Sequence, residues 1–289
     1  ALLHLKADSI NEAFGASIAS WPDISGNDLI TASVAGFQQP KLILNTTLNR
    51  STVVFDGNSD LLVTNLQQSF PQPSTVFILW NINSATNVQI PFASWPNLNT
   101  LLHESGNLYL NGGSGQAYYA KTIPFSFILS TCVFNGANSQ LFENSVLKNT
   151  LNSGGNALGN DFEIGGLRAQ ASLFPSIPGW LNGAIAEIII YNGVLNPTDR
   201  LAVENYLAEY YSTPLSLGPD INTCSPEEIL AVNTNNTYSS ILWSNGQTNT
   251  NSISVSDNGW HWVEVNSFGL TIRDSIFVEG LVAKPTLNV

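Results

Sequence analysis

The feature that most constrains the fold of this chain is a pair of strand-like segments that lie far apart in the sequence. Leu5–Asp8 stands near the start, and Ile185–Tyr191 stands far downstream, where a short amphipathic segment follows it up to Tyr211. Strand-like segments at the two ends of one domain suggest a sheet whose first and last strands meet. We therefore predict a closed β-sandwich in which these two strands lie side by side.

Composition favours a β-rich extracellular protein. Only 10% of the 289 residues are charged and 43% are hydrophobic, so Asn, Ser, Thr and Gly supply much of the polar surface. The net charge is −12 with only nine Lys and Arg residues, which argues against nucleic acid or an anionic membrane as a partner. No apolar run approaches the ~18 residues of a membrane-spanning helix. We expect an extracellular, cell-surface or virion location.

The two cysteines, Cys132 and Cys224, fall in different parts of the chain. We expect both to be free and buried, because lone cysteines commonly behave as small apolar residues. Two cysteines cannot form a four-ligand zinc site without other ligands.

Alternation of apolar and polar residues is more frequent than helical periodicity, which predicts mostly strands. Turn-forming stretches such as Asp56–Asn58 and Asn152–Gly155 separate the candidates. The predicted strands in the first part of the chain are Ser51–Phe55, Thr75–Asn81, Asn107–Asn111, Ser126–Phe134, Asp161–Gly165 and Ala184–Tyr191.

One helix is predicted over Leu195–Tyr211. Asn196 is placed to cap it, Pro197 suits its first turn, and Asp199 complements the positive end of the helix dipole. Its apolar face is expected to carry Val203, Tyr206, Leu207 and Tyr210, with Glu204, Asn205 and Glu209 on other faces. We interpret it as a lid on the edge of the sandwich.

Residues 213–219 have the composition of a linker, and a strand pattern restarts after them. This predicts a first domain over residues 1–212, a small immunoglobulin-like sandwich over 220–279 and a tail over 280–289. The strands expected in the second domain are Glu228–Val232, Ser240–Trp243, Thr250–Val255, Gly259–Val265 and Thr271–Val278.

The first 212 residues resemble the laminin-G-like, concanavalin A-like jelly-roll domains of bacterial surface and secreted proteins. The matching blocks are Leu5–Asp8, Trp21–Asn27, Phe55–Asp60, and Gly183–Glu187 with the helix that follows. The second domain resembles Ig-like or PKD-like modules of secreted Bacteroidetes proteins. The fold class predicted is thus all-β, a concanavalin A-like jelly-roll β-sandwich plus a small Ig-like β-sandwich. Many such modules carry a second cysteine after a glycine; here Leu270 follows Gly269, which leaves Cys224 without that partner.

Catalysis has weak support in the sequence. Glycoside hydrolases that share the jelly-roll fold use clustered carboxylates on one strand, and two of them must flank the scissile bond. The nearest arrangement here is Asp161 with Glu163, which alternation places on one face. The plainer interpretation is an Asp at a turn edge and a solvent-facing Glu, so we predict no catalytic residue.

Two loops concentrate the oxygen ligands that calcium requires. These candidate calcium ligands are Asp23, Ser25, Asn27 and Asp28 in one turn, and Asp56, Asn58 and Asp60 in another. The alternative for each loop is that Asp and Asn hold the turn through bonds to the backbone.

Aromatic residues in loops suggest a carbohydrate-stacking surface. The candidates are Trp95 and Trp180, followed by Tyr118 and Tyr119, whereas Trp21, Trp80 and Trp243 are assigned to cores. In the second domain, alternation places His261, Val263 and Val265 inward and Trp260 and Trp262 outward. The outward pair is expected to contact the first domain, a partner chain or a ligand, the domain contact being preferred.

Three functional hypotheses remain. The first is a secreted or cell-surface non-catalytic binding or adhesion protein that recognises carbohydrate or another surface. The second is a self-assembling structural subunit of a surface filament, sheath or phage virion. The third, a glycan-active enzyme, depends on Asp161 and Glu163.

Overall fold

The computed structural model describes residues 1–84, 88–113, 116–120, 126–168, 179–232 and 238–282, and the side chains of 116, 117 and 119 lie outside that description. The chain forms two compact units. Unit 1 comprises Ala1–Asn45 and Asn49–Leu207, and unit 2 comprises Thr46–Leu48 and Ala208–Val289.

Unit 1 is built almost entirely from antiparallel strands. Its strands are β1 Leu3–Lys6, β2 Ser20–Pro22, β3 Ile30–Ser33, β4 Lys41–Asn45, β5 Arg50–Asp56, β6 Leu62–Asn65, β7 Ser74–Ile82, β8 Gln89–Trp95, β9 Asn99–Glu104, β10 Asn107–Gly112, β11 Gln116–Ala120, β12 Ile128–Phe134, β13 Ser139–Glu143, β14 Val146–Leu151, β15 Asp161–Ile164 and β16 Asn182–Tyr191.

These strands form two sheets. Sheet 1 has the order β14-β13-β12-β7-β16-β5-β4, with β1 also paired to β16, and sheet 2 has the order β11-β10-β9-β8-β15-β6-β3-β2. Neighbours in space are frequently distant in sequence, as expected for a jelly-roll arrangement. The all-β fold class predicted from alternation is confirmed.

The two far-apart strands of the sequence do lie side by side. β1 is antiparallel to β16, with Leu3 opposite Ile190 and Leu5 opposite Ile188. β5 pairs with the earlier half of β16, over Asn182–Ile185, so β1 and β5 share one edge of that strand. The predicted neighbourhood of the first and last strands is therefore confirmed.

The core of unit 1 lies between the two sheets. Trp21, Trp80, Phe55, Phe92 and Phe162 are at most 1% exposed, as predicted for the two tryptophans. The indole N–H of Trp80 donates to Ser130 Oγ (3.0 Å), which supplies its polar atom with a buried partner. Full burial of each large apolar side chain contributes roughly 1.5–3 kcal/mol.

Helix α1 spans Pro197–Tyr211. Its predicted cap is confirmed, because the Asp199 N–H donates to Asn196 Oδ1 (2.9 Å) and Asn196 Nδ2 donates back to Asp199 Oδ2 (2.7 Å). The predicted lid on a sandwich edge is wrong. Tyr206 bonds Glu187 of the central strand β16, so the helix covers the outer face of sheet 1.

The prediction that Glu204 lies away from the buried face of the helix is also wrong. Glu204 is fully buried and accepts a hydrogen bond from the Thr131 hydroxyl (2.7 Å). Arg200, one turn earlier, forms an ion pair with the same carboxylate while its guanidinium lies 4.0 Å from the centre of the Phe142 ring. Burial of this carboxylate is possible because both oxygens have partners.

Unit 2 is a small β-sandwich. Its strands are β17 Ile221–Asn222, β18 Glu228–Ala231, β19 Ser240–Trp243, β20 Ser252–Val255, β21 Gly259–Ser267 and β22 Leu270–Glu279. One sheet has the order β17-β22-β21-β19 and the other pairs β18 with β20. Trp243, Val263 and Val265 are buried between them, as predicted.

Both cysteines are free. Cys132 is fully buried on β12, and burial raises the pKa of its thiol. The prediction that Cys224 is buried is wrong, because this residue is exposed two residues after the end of the short strand β17. Of the helices in the described ranges, none has the length and apolar character needed to cross a membrane.

Candidate functional site

A cleft of about 520 Å³ opens on unit 1 beside strands β4 and β5. It combines an aromatic ring, two amides, a cation and two carboxylates. The lining residues are Ser17, Phe37, Gln38, Gln39, Lys41, Val54, Asp56 and Asp60.

One wall of the cleft is the segment that leads into β4. The Gln38 N–H donates to the carbonyl of Ser59 (3.0 Å), and the Leu61 N–H donates to the carbonyl of Gln38 (3.1 Å). These two bonds hold the segment parallel to the chain around Asp60. The backbone of Gln38 is thus fixed, while its side chain and that of Gln39 remain exposed at the rim.

The adjoining wall is the turn after β5. Asp56 accepts hydrogen bonds from Asn58, at Oδ1 from the backbone N–H (2.8 Å) and at Oδ2 from the side-chain amide (3.2 Å). The Asp56 N–H donates to Asp60 Oδ2 (2.9 Å). Gly57 permits this turn, because its φ is +82° and a Cβ there would lie 2.8 Å from Asn182 Cβ. Asp56 and Asp60 are therefore both held at the cleft.

The two carboxylates differ in environment. Asp56 is exposed, whereas Asp60 is buried. Burial raises the pKa of Asp60, and the charge of Asp56 adds to the shift. The hydrogen bond from the Asp56 N–H and the charge of Lys41 oppose it. The floor of the cleft consequently offers a carboxyl group that takes up a proton more readily than an ordinary aspartate.

An aromatic pair stands beside the cleft. Phe37 lines it and packs against Trp180, with ring centroids 5.7 Å apart at 55°. Trp180 is only half-exposed because it lies on Gly166, where a Cβ would be 2.2 Å from Trp180 Cε3. The structure thus brings Trp180, predicted as a sugar-stacking residue, close to Asp56 and Asp60, which were predicted as calcium ligands.

In the other oxygen-rich turn, at Asp23, the carboxylate oxygens accept hydrogen bonds from the protein itself. The Asp23 carboxylate accepts from the backbone N–H groups of His4, Ser25 and Leu29 and from the Ser25 hydroxyl. Burial would raise the pKa of Asp23, but these bonds outweigh it and lower the pKa.

The neighbours of Asp23 complete the same turn. Asn27 Nδ2 donates to the Leu2 carbonyl (2.9 Å), and Asp28 adopts a φ of +53°. The described residues contain no group of three or more His, Cys, Asp or Glu placed to hold a metal. Calcium at either loop stays a prediction.

Trp95 and Tyr118 belong to the outer face of sheet 2. Trp95 is half-buried and packs against a cluster that includes Ile90, Leu102 and Leu167. Tyr118 is exposed and lies 5.3 Å from the Tyr109 ring. The side chain of Tyr119 lies outside the described residues.

Asp161 and Glu163 do share one face, as alternation predicts, but Glu163 is fully buried rather than solvent-facing. Arg168 forms ion pairs with both carboxylates and donates its backbone N–H to Glu163 Oε2 (2.7 Å). Burial raises the pKa of Glu163 despite the opposing effect of Arg168. The arrangement is a partly buried ion-pair cluster in which one guanidinium holds both acids.

Sequence reasoning missed most of the cleft. Phe37, Gln38, Gln39 and Lys41 were not singled out, although an aromatic residue, two amides and a cation fall within five residues just before a strand. Their contact with the turn at Asp60 could not be predicted, because the bridge from Gln38 to Asp60 lies outside the regular strands.

Comparisons with known proteins add support for the fold. Neither a protein-family model nor a curated protein matches the chain. A structure described as a receptor binding domain is 13% identical with a TM-score of 0.51, covering 91% of this chain and 69% of that one. A mutant of HCR D/C VPI 5995 is 12% identical with a TM-score of 0.52, covering 93% and 72%.

The sialidase of Trypanosoma rangeli in complex with the inhibitor DANA is 11% identical, with a TM-score of 0.49 and 73% of this chain covered. The chain spans about a third of the length of that sialidase, since 32% of it is covered. At these identities, the likeness to the two structures with TM-scores above 0.5 establishes that the chain shares their fold.

Proposed function

We propose that this chain is a secreted or cell-surface, non-catalytic binding protein whose unit 1 cleft recognises carbohydrate. The observation that carries the proposal is the joint presence of Phe37, Gln38, Gln39, Asp56 and Asp60 around one cleft. The low fraction of charged residues, 10%, and the resemblance to laminin-G-like and Ig-like modules support the same proposal.

The chemistry of the lining fits sugar hydroxyl groups. Amides and carboxylates present paired donors or acceptors in a plane, so that each can bond adjacent hydroxyls of one ring. The Phe37 ring offers an apolar face for the C–H side of a pyranose. A concave site with a few oriented polar groups and an apolar wall is typical of small-molecule recognition.

Parts of the lining are also held in place before a ligand arrives. The backbone of Gln38 is bonded on both sides, and the Asp56 carboxylate is fixed by Asn58. A rigid site loses less conformational freedom on binding, which favours affinity. Hydrogen bonds within the turn after β5 give Asp56 and Asp60 a structural role. Their presence at the cleft is thus explained without a catalytic role.

The experiment is a neutral and acidic glycan array screened with the full chain, followed by calorimetry on the best glycan. We expect Gln38→Ala and Gln39→Ala each to weaken binding roughly 3- to 10-fold, the loss of about one hydrogen bond. Gln68→Ala is the matched control, because Gln68 is an exposed glutamine of unit 1 that does not line the cleft. The absence of any bound glycan, or an unchanged affinity in both cleft variants, would refute the proposal.

A further inference from the structure

Unit 2 carries an exposed aromatic face on its larger sheet. Trp260 is 64% exposed and stands directly opposite Phe277 on the neighbouring strand, with ring centroids 5.2 Å apart. Trp262 follows two residues later on the same side and remains partly exposed. We define the aromatic face as Trp260, Trp262 and Phe277.

Among the described residues of unit 2, packing does not require tryptophan at position 260. The core of this unit is filled from the other side of β21 by Val263 and Val265. A large apolar ring that stands mostly in water, beside a second aromatic ring, is the kind of surface that marks an interaction site.

One pair of opposite charges stands on the same side of the sheet as the rings. Glu264 stands opposite Arg273 in the strand register, and the Arg273 guanidinium lies 4.0 Å from the centre of the Trp262 ring. Ser275, opposite Trp262, adds an uncharged hydroxyl. The face therefore offers aromatic rings, a hydroxyl and one pair of opposite charges. Glu279, which is exposed two residues after Phe277 on the same strand, adds a negative charge that disfavours an anionic ligand.

The size of the surface points to a small partner. The exposed rings present on the order of 300 Å² of apolar surface, whereas a stable protein interface buries roughly 800 Å² on each partner. Trp260 and Trp262 lie two residues apart on one strand, which spaces them about 7 Å apart.

We propose that the aromatic face is a second carbohydrate-binding site, which takes neutral polysaccharide chains by ring stacking. The apolar faces of successive sugar rings pack on Trp260 and Trp262, and their hydroxyl groups bond Ser275 and the Glu264–Arg273 pair. This site is separate from the cleft of unit 1 and does not depend on the function proposed for it.

The test is gel retardation of the full chain by soluble neutral polysaccharides, namely mixed-linkage β-glucan, glucomannan and xylan, with carboxymethylcellulose as the anionic comparison. We expect retardation by at least one neutral polymer. Trp260→Ala and Trp262→Ala should each weaken it roughly 3- to 10-fold. Trp260→Phe should retain most of the binding, because a ring remains.

Ile229→Ala is the matched control, since Ile229 is a 72% exposed apolar residue of unit 2 that lies outside the aromatic face. Gln38→Ala separates the two sites, because it should leave this retardation unchanged. No retardation by any neutral polymer, or equal retardation of the wild type and Trp260→Ala, would overturn the proposal. Dissociation of a dimer by Trp260→Ala without an effect of polysaccharide would overturn it too.

Discussion

Asp23 illustrates how one carboxylate can organise the start of a domain. It bonds the backbone of β1 through His4 and closes its own turn through Ser25 and Leu29. Because the folded protein holds the pKa of Asp23 below its ordinary value of 3.8, the ionised group stabilises the fold above that pH. This contribution disappears as the pH falls through the lower pKa of the folded state.

We predict that Asp23→Asn lowers the free energy of unfolding by about 1 kcal/mol at pH 7, because an amide replaces an ionised acceptor of several N–H groups. The difference from the wild type should shrink below about pH 4, where the wild-type carboxylate begins to lose its advantage. Urea unfolding at a series of pH values measures it. Asp28→Asn, an exposed change in the same turn, should be nearly neutral; a difference that is constant from pH 7 to pH 3 would contradict the prediction.

At the residue scale, the sequence identified several important side chains but not their groupings. The loop that contains Asp23 was recognised as rich in oxygen ligands. The two alternatives were that it binds calcium or that Asp23 holds the turn through hydrogen bonds to the backbone. Trp180, Asp56 and Asp60 were assigned to two different ligands, whereas the structure places them around Phe37. These residues come together through contacts between segments that are distant in the sequence. Local composition gives no information on such contacts.

At the scale of elements, helix α1 depends on a buried carboxylate. Glu204 is shared by Thr131 of β12 and by Arg200 of the helix itself. We predict that Glu204→Ala lowers the free energy of unfolding by about 3 kcal/mol, since it leaves a buried guanidinium and a buried hydroxyl without their acceptor. Urea unfolding at pH 7 measures this loss.

The control is Glu209→Ala on the same helix, where the side chain is exposed. That change should alter stability by no more than about 0.5 kcal/mol. If the two substitutions were equally mild, the ion pair of Glu204 would contribute little to the docking of the helix.

The existence and type of the strands and of the helix were largely predictable, but which of their faces would be buried was less so. The helix follows from Asn196, Pro197 and a short amphipathic pattern, and its cap is as expected. Its buried side was partly misassigned, because Glu204 was placed on a face other than the apolar one although it is fully buried. A charged residue is expected outside unless its partners are known, and the partner Thr131 lies 73 residues away in the sequence.

At the scale of the whole molecule, the first strand of the chain, β1, supports the central strand β16. Leu5 of β1 is fully buried, belongs to the core cluster and lies opposite Ile188 of β16. We predict that Leu5→Ala lowers the free energy of unfolding by about 3 kcal/mol, the usual result of a cavity in a core. It should also reduce the hydrogen-exchange protection of the Ile188 amide in the strand opposite.

Leu44→Ala provides the comparison, because Leu44 is an exposed leucine on the edge strand β4. We expect a change of at most about 0.5 kcal/mol there. Unaltered protection at Ile188 in Leu5→Ala would mean that β1 is not needed to hold β16.

The fold as a whole was the most predictable level. Alternation, turn residues and the paired segments at Leu5 and Ile185 suffice to indicate a β-sandwich, since each is a local signal. The order of strands within the sheets is not local. Nothing in Asp161–Ile164, for instance, indicates that this strand inserts between β6 and β8.

The position of β16 has a consequence for how the protein is made. It is the last strand of unit 1 to leave the ribosome, yet it lies in the middle of sheet 1, between β7 on one side and β5 and β1 on the other. Until β16 emerges, the edges of β7, β5 and β1 that will pair with it have unpaired N–H and C=O groups. Such edges can pair with strands of other nascent chains. Sheet 1 therefore cannot be completed progressively from the N-terminus, and unit 1 finishes folding only after β16 has been synthesised.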